Sequence, residues 1–269
     1  MFRIGNQTSC HSQNILDPFE FAVHYNFGCF EWFFDKNENG NGLDISRIDT
    51  SFQNSIKHRA LKADLSLSVH VPCDLSVYTS EGMRILNEIL QFTFYIRARV
   101  LVLHFDSSKG TRAFATKMRA IANNLFTTDI ILTIENTPYN GPMEFNQFFA
   151  TLSARSKKKI GMAFDIGHAN LYPDFRNNFL GYLNALAPHV PIYHLHFHEN
   201  SGGTDSHNCI FSTHSKFNDL GIRTLIKTLV ERNSTGNIIL EQWPQPRSQL
   251  LDARDRLQKI IDQERIRKV

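Results

Sequence analysis

The feature that most restricts how this chain can fold is a repeated pair of patterns. A short apolar stretch rich in β-branched and aromatic residues is followed by a longer segment with apolar residues at helical spacing. The short stretches fall at residues 2–6, 29–34, 65–71, 100–105, 130–135, 159–165, 190–197 and 237–241. The helical segments fall at 17–25, 44–63, 79–96, 109–126, 142–152, 174–186, 217–231 and 247–265. In the third of these, Met83, Leu86, Ile89 and Leu90 mark one buried face. Asp17-Pro18 supplies a helix start, and Pro72 closes the third strand. VLVLH at 100–104 is apolar on both faces, as a strand inside a parallel sheet must be. Eight alternations of about thirty residues each predict an α/β chain folded as a (β/α)8 barrel, with residues 1–269 as one domain.

Composition narrows the partners. The net charge of +3 gives no general nucleic-acid signature, and the 42 % apolar content is ample for a large core. Cys10, Cys29, Cys73 and Cys209 form no CxxC pair, which predicts reduced thiols in a cytoplasmic protein. No apolar run approaches the roughly twenty residues a membrane span needs, so no membrane partner is expected. KNENGNG at 36–42 reads as a surface turn.

The chemistry sits at the strand ends. Glu31, His70, His104, Glu135, Asp165 with His168, His194, His196, His198 and Glu241 close strands that are otherwise apolar, and barrel active sites lie at that end. The densest stretch is PIYHLHFHENSGGTDSH at 191–207. Strand alternation puts His194, His196 and His198 on one face and Tyr193, Leu195 and Phe197 on the other. Gly202 and Gly203 then allow a reversal that brings Asp205 and His207 back over His196. In FDIGHAN, Gly167 lets the chain turn so that His168 returns toward Asp165, and in IENTP the residues after Glu135 fix its exit. Several carboxylates buried together require a cation or protons to offset their charge. Mixed carboxylate and imidazole donors without thiolate suit a divalent metal, zinc or manganese before iron or magnesium.

Trp32, Phe33 and Phe34, in a chain with 22 phenylalanines, read as packing, and Trp243 just after Glu241 is the better pocket wall. Arg254, Arg256, Arg265, Arg267 and Lys268 alternate with acids and read as a solvated helix face.

SVHVP, VLVLH, IENTP, FDIGHAN, HLHFHEN, DSH and ILE, in this order, resemble the xylose-isomerase-like TIM barrel superfamily, which contains sugar phosphate isomerases and epimerases and the type IV AP endonucleases. In the first branch the resemblance implies one ion held by Glu135, Asp165, His196 and Glu241. Glu135 and Glu241 would then be the acid/base pair moving a proton through a metal-stabilised enediolate of a sugar or sugar phosphate. In the second it implies up to three zinc ions on His70, His104, Glu135, Asp165, His168, His196, Asp205, His207 and Glu241, acting on a phosphoester of nucleic acid. Glu31, His194, His198, Lys109 and Trp243 are expected to contact substrate, Lys109 because SSK at 107–109 suits a phosphate. Barrels of this family often pair, which implies a homodimer.

The loops YNGP at 139–142 and LYPD at 171–174 differ from those of the endonucleases, and the segment after His207 lacks a GxG turn common to both branches. The sequence therefore favours the isomerase or epimerase, with the zinc phosphoesterase as the alternative and a non-catalytic binding barrel as a third reading.

Overall fold

The expected alternation is present. In the computed structural model, which describes residues 2–9, 12, 14–36 and 42–267, eight parallel strands pair in chain order and β1 pairs with β8 to close a barrel. They are β1 Phe2–Gln7, β2 Cys29–Phe33, β3 Ser66–His70, β4 Val100–His104, β5 Ile131–Glu135, β6 Ile160–Asp165, β7 Ile192–Phe197 and β8 Gly236–Leu240. The helices are α1 Asp17–His24, α2 Thr50–Lys62, α3 Ser80–Tyr95, α4 Thr111–Asn124, α5 Pro142–Thr151, α6 Ile166–Leu171, α7 Phe179–Ala185, α8 Leu220–Glu231 and α9 Ser248–Ile266. The turn expected at 36–42 and the ends Cys10 and Lys268 fall largely or wholly outside the described residues.

Helix starts follow local chemistry. The Thr79 side chain accepts the Gly82 N–H before α3, and the Asp49 side chain accepts the Phe52 N–H before α2. Outward-facing strand residues such as Trp32, Leu101, Leu132, Phe164 and Phe197 join helix residues including Phe92, Phe114, Phe148 and Leu225 in one continuous core. Each such side chain contributes about 1.5–3 kcal/mol through removal from water. Inside the barrel the apolar contribution is smaller, with Val100, Val102 and Ala163 clustered together. The register carries the strand ends to one level: His104 lies beside Glu135, and Asp165 beside His196.

The sequence predicts one helix over 174–186, and the structure divides that region differently. α6 begins directly after β6, with Asp165 Oδ1 accepting the His168 N–H at 2.7 Å as its cap. A single 3-10 turn at Pro173–Phe175 follows, and α7 starts only at Phe179. Gly167 is therefore helical and not a turn residue. Its need is space, because a Cβ there would lie 1.9 Å from the His198 ring. The basic residues of α9 also do more than face solvent. Arg256 pairs with Asp219 at 2.9 Å and lies over the Phe211 ring, and Arg254 lies over Phe27.

Trp32 and Phe34 are core residues as expected, whereas Phe33 packs edge-on against His70 at 4.4 Å and so walls the site. Cys29, Cys73 and Cys209 are free thiols. No helix among the described residues is long and apolar enough to cross a membrane.

Candidate metal centre

Glu135, at the end of β5 and 1 % exposed, sits where the strand ends meet. Its Oε2 lies 2.7 Å from His70 Nε2 and 3.6 Å from His104 Nε2. Its Oε1 lies 3.1 Å from His196 Nδ1. Glu241 follows β8 and brings Oε2, which is buried without a hydrogen bond, to 3.2 Å from the same His196 Nδ1. Asp165 Oδ2 is 3.9 Å from that nitrogen and 3.2 Å from His198 Nε2. Two ligand groups thus share Glu135: His70, His104 and Glu135 on one side, and Glu135, Asp165, His196 and Glu241 on the other.

A third group lies at the rim. The loop after β7 forms a hairpin in which Glu199 and Asn208 exchange backbone hydrogen bonds of 2.8 and 2.9 Å. The buried Glu199 carboxylate anchors it by accepting the N–H groups of Phe211 and Ser215 and the hydroxyls of Thr213 and Ser215. Gly202 takes φ +78, the left-handed conformation that suits glycine. The hairpin returns Asp205 to His168 and His198 and not over His196 as the sequence suggests. Asp205 Oδ2 lies 3.1 Å from His168 Nε2 and 3.3 Å from His207 Nε2, and the His207 ring stacks on His198 at 4.1 Å.

The imidazoles are oriented for ligation. His70 Nδ1–H donates to the Val71 carbonyl at 2.6 Å, His168 Nδ1–H to that of Asn136 at 2.9 Å, and His207 Nδ1–H to that of Glu241 at 2.9 Å. Each bond fixes the tautomer and turns the Nε2 lone pair toward a carboxylate. Two lone pairs facing each other at such distances need a proton or a metal ion between them. Asn136 holds the scaffold by clasping the Asp165 backbone, its Oδ1 accepting the N–H at 2.9 Å and its Nδ2 donating to the carbonyl at 2.8 Å.

The proton affinities express the same demand. Burial lowers the pKa of His70 and His196, but the surrounding carboxylates, Glu135 first and then Glu31, together outweigh it and both end above the usual imidazole value. For His168 burial is likewise outweighed, by Asp165 and Asp205, and for His207 by Asp205, which pushes it up to about 9. Burial raises Glu135 and Glu241, yet the neighbouring imidazolium charges, His196 first, bring both well below the carboxylate range. His104 goes the other way, to about 4, because burial dominates over the attraction of Glu135. Protons on the imidazoles supply the positive charge that the carboxylates require, and divalent ions would replace them. Oxygen and nitrogen donors, a set of fixed tautomers and a buried Glu241 oxygen that meets only His196 Nδ1, without hydrogen-bond geometry among the described residues, all fit such ions.

The residues expected to touch substrate separate into two kinds. Glu31, His194 and His198 are at most 1 % exposed; Glu31 and His194 face each other below His196, whereas His198 lies higher, against the rim residues Asp205 and His207. Lys109 is exposed in the turn before α4 and takes no part in the carboxylate–imidazole contacts. Trp243 is half-buried, with its ring 5.2 Å from His207.

One strand-end residue lies beyond the sequence reading. Gln7 ends β1, in register with Glu31, and is 1 % exposed with neither amide atom hydrogen-bonded among the described residues. Extending the first strand by one residue would have put it at the level of the other site residues.

Fold and site together define a parallel barrel able to hold divalent metal at its C-terminal face. Residues 19–260 match the family described as xylose isomerase-like TIM barrel, and the chain belongs to that family. A curated relative, the uncharacterized protein MJ1614 of Methanocaldococcus jannaschii, is 26 % identical over 171 residues, which is 58 % of this chain and 64 % of that protein's length. Among solved structures, the TTHB071 protein from Thermus thermophilus, soaked with ZnCl2, superposes with TM-score 0.67 at 19 % identity over 97 % of this chain and 98 % of that one. A D-psicose 3-epimerase in the presence of D-fructose gives TM-score 0.65 at 14 % identity, covering 90 % and 85 %. An AP endonuclease, family 2, from Brucella melitensis gives 0.56 at 16 %, covering 91 % and 94 %. At these identities the likeness is one of fold.

Proposed function

We propose that this chain is a divalent-metal-dependent phosphoester hydrolase whose centre holds more than one ion, zinc or manganese. The observation that carries this reading is the division of Glu135 between two ligand groups, Oε2 at 2.7 Å from His70 Nε2 and Oε1 at 3.1 Å from His196 Nδ1. A carboxylate engaged on both sides suits an ion on each side. It retains little basicity for shuttling a proton between carbons, the task the isomerase expectation gives it.

Bound ions would act as Lewis acids toward phosphoryl oxygens and make a water acidic enough to attack near neutral pH. His70, His104, Asp165, His196 and Glu241 hold the buried ligand groups. Asp205, with His168 and His207, stands at the rim, its side chain 33 % exposed, where it can orient a water or an incoming phosphoester. Trp243 walls that edge.

Abasic DNA is the first substrate to try, because one structural neighbour is an AP endonuclease. Tyr139 and Phe217, 86 % and 90 % exposed on the loops after β5 and β7, are rings of the kind on which unstacked bases settle.

A second reading rests on Glu135 and Glu241 both facing His196 Nδ1, at 3.1 and 3.2 Å. That pairing suits an isomerase or epimerase with one ion and a small sugar or sugar phosphate. The deciding experiment is metal analysis of purified protein, combined with assays of abasic-DNA cleavage and of solvent deuterium entering sugars. Two or three ions per chain with DNA cleavage supports the hydrolase; one ion with deuterium exchange overturns it in favour of the isomerase.

A further inference from the structure

We propose that Glu31 is a positioning residue for the metal centre, holding the Nε2 edge of His196 from below so that the ring presents Nδ1 to Glu135, Asp165 and Glu241. The inference rests on the metal-centre reading above and deepens it.

Three histidines of the centre share one arrangement: Nδ1–H is tied to a backbone carbonyl and Nε2 points inward. His196 is reversed. Its Nδ1 faces the carboxylates, so its outward nitrogen is Nε2, the far tip of the ring, which lies deep in the barrel interior. The acceptor it meets there comes from a side chain on another strand. Glu31 on β2 supplies it, with Oε1 at 3.0 Å from His196 Nε2.

The second Glu31 oxygen, Oε2, lies 2.8 Å from His194 Nε2, and the His194 ring stands edge-on to that of His196 at 5.1 Å. One carboxylate thus spans two imidazoles. All three residues have no solvent exposure. Burying a carboxylate so deeply is unfavourable unless donors face it. Both Nε2 atoms face the Glu31 carboxylate at hydrogen-bond distance, although neither contact meets full hydrogen-bond geometry.

A neutral imidazole has one N–H. With that proton on Nε2 and directed to Glu31, Nδ1 carries the lone pair that ligation needs. His194 keeps the carboxylate from swinging away and is itself neither a ligand of the centre nor a substrate contact. The alternative, in which Glu31, His194 and His196 cage an ion of their own, would require His196 to ligate through both nitrogens at once.

The test is zinc titration against a chromophoric chelator, with wild-type protein, Glu31→Gln and His194→Gln, each checked for folding by circular dichroism. Glutamine offers one oxygen and an NH2, so it cannot accept from both imidazoles. The expected result is an unchanged number of ions at saturation with about ten- to hundredfold weaker binding of one of them. In parallel, wild-type protein labelled with 15N and loaded with 113Cd is expected to show cadmium coupling to Nδ1 of His196 and a proton on its Nε2. This measurement decides the matter if the variants do not fold.

Unchanged affinity in folded Glu31→Gln, coupling to His196 Nε2, or loss of one whole ion from the stoichiometry each overturns the positioning role. Wild-type protein that takes up neither zinc nor cadmium would instead sink the metal-centre reading itself.

Discussion

Asp205 Oδ2 lies 3.1 Å from His168 Nε2, closing a contact between residues 37 positions apart in the chain. The contact joins the first turn of α6 to the hairpin after β7, and His207 meets the same oxygen at 3.3 Å. The rim group therefore depends on Asp205 more than on either imidazole alone. Asp205→Asn is expected to lower the metal content by one ion per chain while leaving the fold and the deeper ions in place. Metal analysis after gel filtration measures it, and an unchanged content would remove the rim from the metal centre.

Glu135 serves both buried groups, so Glu135→Gln should weaken both. The expected loss of hydrolytic rate is about a thousandfold, equivalent to about 4 kcal/mol of transition-state stabilisation. Metal content should fall by more than one ion. A variant that keeps its full metal content and its rate would show that the shared carboxylate has no part in the chemistry.

The raised pKa of His207 has a definite sign. A folded value of about 9 against an ordinary 6.5 means its proton stabilises the metal-free fold fully below pH 6.5, and this stabilisation is lost as pH rises through about 9. Metal uptake displaces that proton, so metal affinity should rise over the same window. Thermal melts of chelator-treated protein are expected to fall from pH 6.5 to 9, while metal-loaded protein gains on it. A chelated protein that grows more stable over that interval contradicts the assignment. Calorimetry in buffers of different ionisation enthalpy should also register proton release on binding.

Gly167→Ala places a methyl 1.9 Å from the His198 ring in a fully packed region. Overpacking of this kind typically costs about 1–3 kcal/mol. For a chain of this size that lowers the melting temperature by roughly 2–4 °C per kcal/mol. The His198 contact with Asp165 should be displaced with it, and a melt indistinguishable from wild type would show that the ring has room to move.

Much of this was legible from residue order. The barrel follows from apolar runs alternating with helical spacing, and the strand-end acids and histidines follow from a general property of barrels. Depth was not legible. Period-two alternation puts His194 and His198 on the chemical face beside His196, but it cannot say what holds the deeper rings in place. That depends on the meeting of β7 with Glu31 on β2, across the barrel and more than 150 positions away in sequence.

The role of Gly167 was hidden for a related reason. Asp165 ends a strand and caps a helix at once, leaving no turn for the glycine to make, and its partner His198 comes from another unit of the barrel.

The hairpin closed by Glu199 and Asn208 separates two kinds of change open to this chain. The deeper ligands are built into the barrel wall, where exchange of one disturbs its neighbours. Asp205 and His207 ride on a loop clamped at its base by Glu199, so substitutions along residues 200–207 can add or delete the rim group without reshaping the wall. The rim donors thus form a detachable module, set apart from the wall that carries the fold.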